Sequence, residues 1–266
     1  MRIALCLSGY LRTFKKCWPS IQEKVIQNHD CDIFIHTYDK LGKSKGWIHS
    51  ETKQILTEPV ENPVDLGFVE FRPKLTEKID LNFLEKIPNI KTIVVENLND
   101  IKQTFIDKYK NVSQFSNIDE IANILYKIYK CNELKIDYEK EHNFKYDLVI
   151  RTRADQIFEK NINLDFPENK ILINAYPWGD EDYVNHLIGD NENDVISDRF
   201  AAGSSKNIDI LCDAFNNIEN IFENNEINYS PLEYIFKIHL ENNNIELEKR
   251  NLNFYVKHNP QRIKKI

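Results

Sequence analysis

The chain has 266 residues, enough for one large or two small domains at about 150 residues each. Hydrophobic residues make up 41%, with 15 Phe and 12 Tyr, so a sizeable core can be buried without disulfides, and disordered and collagen-like classes are excluded. Setting 35 basic against 42 acidic side chains leaves a formal net charge of −7, so the surface is not built to hold nucleic-acid phosphates and no nucleic-acid partner is expected.

The first apolar run, IALCL, predicts a buried strand over Ile3 to Leu7. Ser8-Gly9 interrupts it well short of the roughly 7 to 15 apolar residues of a secretory core, so no export signal is expected. An amphipathic segment from Thr13 to about Asn28 follows, and then a second strand, DIFIHTYD, beginning after Cys31. Strand, helix, strand with a connection of this length predicts parallel pairing and a right-handed crossover.

From Leu41 to Asn89 the glycines and prolines at Gly42, Gly46, Pro59, Pro63, Pro73 and Pro88 break the pattern, which predicts an irregular insertion over the sheet at about residues 41–89. A strand resumes at Lys91 to Glu96. Helices are predicted at Leu98 to Tyr109 and from Ile118 to Glu141, where Ile121, Leu125, Ile128, Leu134 and Tyr138 recur near helical spacing. The segment YDLVIRTRADQIF then runs a strand into two arginines and an aspartate. Beyond it come a short strand at Lys170 to Asn174, a turn at Trp178-Gly179 and an acidic loop reaching Ser197. Helices near Asn207 to Glu223 and Pro231 to Glu241 follow, with a last strand at Leu252 to Lys257. The predicted fold is α/β, a mostly parallel Rossmann-like sheet flanked by helices. No repeat or linker divides it, so residues 1–266 are expected to form one domain.

The five cysteines are odd in number and lack CxxC spacing, which predicts reduced thiols and a cytoplasmic location. No stretch reaches the roughly 20 apolar residues needed to cross a bilayer. The basic end KHNPQRIKKI offers a peripheral contact to the inner membrane face, although a solvated tail explains it as well.

In open α/β sheets ligands bind beyond the carboxyl ends of strands, which directs attention to Arg151, Arg153 and Asp155. A carboxylate just past a parallel strand can hold a hard divalent cation that bridges two phosphates, and the arginines can supply the same counter-charge as fixed cations. The bland alternative is an ion-pair network that caps the strand.

YDLVIRTRADQIF resembles the segment that carries the DxD motif in GT-A nucleotide-sugar glycosyltransferases. The likeness is strongest to bacterial and algal-virus enzymes of surface polysaccharide (lipopolysaccharide and capsule) synthesis. SGYLRTF, DIFIHTYD, LYKIYKCNELKIDYEKE, DRFAAGSSKNID and SPLEYIFKIHL stand in that family's order from Leu5 to Leu240. In one departure Arg153 occupies the place of the first DxD aspartate, leaving Asp155 alone.

The resemblance implies a GT-A-like fold and transfer of a sugar from a nucleotide diphosphate donor, UDP-linked by preference, to a hydroxyl of a surface glycan or lipid-linked glycan, with inversion. It also implies Mn²⁺ or Mg²⁺ held by Asp155 and by His258 in YVKHNPQR. Without metal, Arg153, His258, Lys257 or Arg262 would neutralise the diphosphate. Ser8, Gly9 and Arg12 resemble a nucleotide-sugar loop, where glycine allows close backbone approach and arginine forks onto phosphate. Asp39 is placed to accept from base or ribose, or else to cap a helix or turn, and Tyr38 to stack on the base or to pack.

Glycosyl transfer with inversion needs a base, for which Asp198 and Glu233 are the candidates. Ser230, Pro231 and Glu233 equally form a capping box. Asp180, Glu181 and Asp182 near Trp178 suit a sugar-binding lid. Two other functions fit the same features, a nucleotidyl or substituted-phosphate transferase and a noncatalytic nucleotide-sugar or glycan-binding subunit.

Overall fold

The structure is a computed structural model, and it describes residues 1–27, 29–42, 46–52, 68–71, 78–109, 118–175, 196–224 and 231–256. Its centre is a seven-stranded sheet built from β1 (Ile3–Ser8), β2 (Cys31–Tyr38), β5 (Ile90–Glu96), β6 (Leu148–Arg153), β8 (Lys170–Asn174), β9 (Phe200–Gly203) and β10 (Glu246–Arg250). The spatial order is β10-β8-β9-β6-β1-β2-β5. Every neighbouring pair is parallel except the two made by β9, which runs antiparallel to both β6 and β8. The α/β architecture read from the sequence is therefore present, with one reversed strand inside a parallel sheet.

β1 is buried along its whole length because it is central and covered on both faces. Its period-two alternation sends Ile3, Leu5 and Leu7 to one side, where they join Phe14, Cys17, Trp18 and Ile21 of α1 (Phe14–Ile21). Ala4 and Cys6 face the other side, against Ile121, Leu125 and Ile128 of α4 (Ile118–Glu141). Helix α1 carries Pro19 inside it and passes at Gln22–Ile26 into a wide π-type turn, so the amphipathic segment is less regular than its pattern suggests.

Helices α3 (Leu98–Tyr109) and α4 have the predicted bounds. The predicted helix over residues 207–223 is broken into α5 (Ser205–Cys212), a tight turn at Asp213–Asn217 and α6 (Ile218–Asn224). Helix α7 (Pro231–Asn242) stands where it was expected. Within the predicted irregular insertion the described residues include β3 (Gly46–His49), antiparallel to β4 (Phe68–Phe71), and a short α2 (Leu81–Leu84) capped by Asp80.

The predicted last strand is present as β11 (Phe254–Val256), and it pairs antiparallel with β7 (Gln156–Phe158), the short strand just after the RTRAD segment. One edge of the main sheet is a strand the sequence reading did not predict, β10, ELEKR, parallel to β8. Charge on an exposed edge strand discourages sheet-to-sheet association, and that same charge hides the strand from a hydrophobicity reading. All five cysteines are buried thiols. Among the described residues no helix is long and apolar enough to cross a membrane.

Candidate active site

The carboxyl ends of the three adjacent strands β2, β1 and β6 bring His36, Ser8 and Arg153 into one row of the parallel register. Directly after Ser8 the chain turns through Gly9 at φ +93°, and the Gly9 N–H donates to the His36 carbonyl at 3.1 Å. A side chain would be strained at that φ. Among the described residues no heavy atom lies within 4 Å of the place a Cβ would enter, which leaves the backbone room for a ligand. The Ser8 hydroxyl is buried with no hydrogen-bond partner among the described residues. Arg12 also adopts a left-handed conformation, at φ +39°, held by donation from its N–H to the Leu41 carbonyl at 2.6 Å.

That turn sends the Arg12 side chain to the tip of β6. Its Nη1 donates to Asp155 Oδ2 at 2.9 Å, while Arg153 donates from Nε to Oδ1 and from Nη2 to Oδ2, each at 3.0 Å. The fork from Arg153 is the bidentate geometry that fixes a guanidinium in its plane. Asp155 is 1% exposed, whereas the Arg12 and Arg153 side chains are 22% and 24% exposed. The carboxylate is buried, and the two arginine side chains over it are partly exposed.

Burial pulls the Arg153 pKa down, but Asp155 and Asp198, with a contribution from Glu233, outweigh it and leave the group raised. Arg12 is lowered, first by burial and then by the neighbouring Arg153, against the pull of Asp155. Arg151 is buried at 2% exposure and plays a different part. Its Nη1 donates to the Asp198 carbonyl, tying β6 to the chain entering β9, and its Nε has no partner among the described residues.

Of the two predicted base candidates, Asp198 comes to this place: its Oδ2 lies 3.6 Å from Arg153 Nη1, an ion pair too long to be a hydrogen bond. Glu233 is in the first turn of α7, 5% exposed, and adds the smallest contribution to the raised Arg153 pKa. Ser230, the other half of its predicted capping box, is outside the described residues, as are Trp178, Gly179, Asp180, Glu181, Asp182, Lys257, His258 and Arg262.

Asp39 and Tyr38 are occupied structurally. Asp39 Oδ1 accepts from the Leu98 N–H at 3.2 Å, capping α3 from another segment, and Oδ2 lies 3.2 Å from Lys40 Nζ. Tyr38 is 1% exposed, its hydroxyl donates to Asn123 Oδ1, and Lys127 Nζ sits 3.7 Å from its ring centre. It packs, and a base cannot stack on it. The half-buried Tyr10, whose ring lies 4.9 Å from that of Tyr38, is the aromatic this loop presents, and the sequence reading passed over it.

At Asp155 the described residues offer a divalent metal only a carboxylate already paired with two arginines, and His258, the second expected ligand, lies outside the described residues. Both Asp155 oxygens already accept from guanidinium groups, so an approaching cation would meet two fixed positive charges before the carboxylate. No group of three His, Cys, Asp or Glu side chains among the described residues is arranged to hold a metal ion.

Two buried ionic networks escaped the sequence reading. Beneath the ends of β2 and β5, Lys127 Nζ is 2.5 Å from Glu96 Oε2, the Tyr126 hydroxyl donates to Glu96 Oε1 at 2.9 Å, and His36 Nε2 lies 3.8 Å from Glu96 Oε2. Burial lowers Lys127 to about 8 despite Glu96, and burial together with Lys127 lowers His36 to about 4. Further along α4, Lys135 donates to Ser205 Oγ and Asp209 Oδ1, both at 2.6 Å, and Glu139 accepts from Ser205 at 2.6 Å and Lys145 at 2.7 Å. This second set pins α4 to α5. Its signal was available, since Asn132, Lys135 and Glu139 continue at helical spacing the face begun by Ile121, Leu125 and Ile128.

The described residues thus define an α/β protein in which two arginines share a buried carboxylate beyond the strand ends. No family model and no curated protein matches the chain. Among solved structures, the apo crystal structure of mouse xyloside xylosyltransferase 1 is similar at a TM-score of 0.42 and 7% identity, over 94% of this chain and 84% of that one.

Proposed function

We propose that the chain is a glycosyltransferase that moves a sugar from a nucleotide diphosphate donor, UDP-linked, to a hydroxyl of a surface or lipid-linked glycan. The reading rests on one juxtaposition. Arg12 and Arg153, whose side chains are partly exposed, meet over Asp155 at the tips of β1 and β6 beside the Gly9 turn, with Asp198 3.6 Å from Arg153 and Glu233 in the first turn of α7.

In the proposed reaction the acceptor hydroxyl oxygen bonds to the anomeric carbon as the bond from that carbon to the β-phosphate oxygen breaks. The electron pair stays on the departing phosphate, where Arg12 and Arg153 offset the developing charge. The hydroxyl proton passes to Asp198 or Glu233, and attack from the face opposite the diphosphate inverts the anomeric centre. Gly9 lets the backbone approach the diphosphate, and Tyr10 lies beside the same turn. A cytoplasmic site of action, at the membrane face where lipid-linked acceptors are extended, belongs to the same proposal.

Incubation with UDP-, GDP- and CMP-sugars, with free nucleotide followed by NMR and products by mass spectrometry, tests the reading. Release of a nucleoside diphosphate together with a sugar-sized mass increment on a glycan acceptor is expected. A phosphate-containing increment would instead identify a substituted-phosphate transferase, and binding without any turnover a carrier subunit.

A further inference from the structure

The Asp155 carboxylate is arranged to hold arginines, and this bears on how the site meets a diphosphate. Of the five N–H groups of Arg153, one on Nε and one on Nη2 are directed at Asp155, while Nη1 faces Asp198 at a distance too long for a hydrogen bond. The fork onto a buried carboxylate fixes the plane of the guanidinium, and the side chain as a whole keeps 24% of its surface exposed. Arg12 reaches the same carboxylate from the loop after β1, so one anion sets the separation of two cations. Next to them, in register with Arg153, the Ser8 hydroxyl is buried without a hydrogen-bond partner among the described residues, and none of those residues crowds the place of a Gly9 Cβ.

We infer that Arg12 and Arg153 neutralise the donor diphosphate directly, in place of a divalent metal, and that Asp155 is the positioning residue that sets their geometry. The inference rests on the proposed function and deepens it by assigning the counter-charge. A guanidinium pair has a physical advantage here. It is held before the ligand arrives, and it donates hydrogen bonds to phosphate oxygens in fixed directions.

Calorimetric titration of the full chain with UDP and with UMP, in EDTA and then in MnCl₂, tests it. In EDTA, UDP is expected to bind as it does in MnCl₂ and about tenfold to a hundredfold more tightly than UMP, the increment that charged hydrogen bonds to the extra phosphate supply. Arg12→Met and Arg153→Met should each reduce the preference for UDP over UMP, with UMP affinity retained. Asp155→Asn should reduce the same preference although it removes no group that touches phosphate. A merely structural loss would weaken UDP and UMP alike, and that result would overturn the positioning role.

The arms in EDTA and MnCl₂ use the unmodified protein and do not depend on any variant folding. UDP binding that requires MnCl₂ would overturn the inference and leave the glycosyltransferase reading standing. Absence of binding by UDP, GDP and CDP under both conditions would overturn the reading itself, and the inference with it.

Discussion

Arg12 and Asp155 are joined by a 2.9 Å hydrogen bond that spans 143 positions of sequence and closes the loop after β1 onto the turn after β6. Because Arg153 forks onto the same carboxylate, Asp155 is shared by two cations and is the member whose loss both would feel.

Removing a buried partner strands the charges left behind, at about 3–5 kcal/mol for a fully buried pair. Here both arginines keep about a fifth to a quarter of their side-chain surface in solvent, so Asp155→Ala should cost less, about 2–4 kcal/mol. Urea unfolding of the wild type and of Asp155→Ala measures this. Asp155→Asn, which keeps the shape and one acceptor oxygen, should lose a smaller part.

The Gly9 position is strained for any residue with a Cβ, yet none of the described residues crowds the place a Cβ would occupy. Gly9→Ala should therefore destabilise by about 1–2 kcal/mol through backbone conformation alone. It should also weaken UDP binding, since the methyl group would fill the open approach. Wild-type UDP affinity in Gly9→Ala would mean that the diphosphate does not contact this turn.

The His36 pKa is lowered to about 4, chiefly by burial, from an ordinary value near 6.5. Between those values the unfolded chain binds more protons than the folded one, so stability rises with pH across the window and is lost as pH falls from about 6.5 towards 4. The contribution is at most about 3 kcal/mol. Glu96, lowered by Lys127 and Tyr126 against its own desolvation, adds a further loss below the ordinary carboxylate range. Melting temperature should fall steadily on acidification from pH 7, and His36→Gln should flatten the part of that curve above pH 4.5.

Asp198 and Glu233 separate by kinetics. Replacing the base by its amide should lower kcat by about 10²–10⁴-fold, with donor affinity little changed. Asp198→Asn and Glu233→Gln are each near-isosteric, so the one with the kcat loss identifies the proton acceptor. If neither loses activity, the base lies elsewhere.

The sequence was most informative where one periodicity ran unbroken. β1, β2, α3 and α4 follow from apolar spacing, and the strand ending in Arg151 to Asp155 pointed to the candidate site because ligands of open α/β sheets bind beyond the carboxyl ends of strands. β9 was missed because FAAG is short and small, and β10 because ELEKR carries its charges on an exposed edge. The meeting of Arg12 with Asp155 was not legible either. It depends on a left-handed arginine and on strand order, neither of which local pattern encodes. The same holds for Tyr38, whose burial follows from Lys127 lying over its ring.

The most direct test of the central claim follows UDP release from a panel of UDP-sugars by NMR, comparing the wild type with Arg153→Met after circular dichroism and melting show that both are folded. The account predicts steady nucleotide release by the wild type and a loss of about a hundredfold or more in the variant. Release at the wild-type rate from Arg153→Met would contradict it.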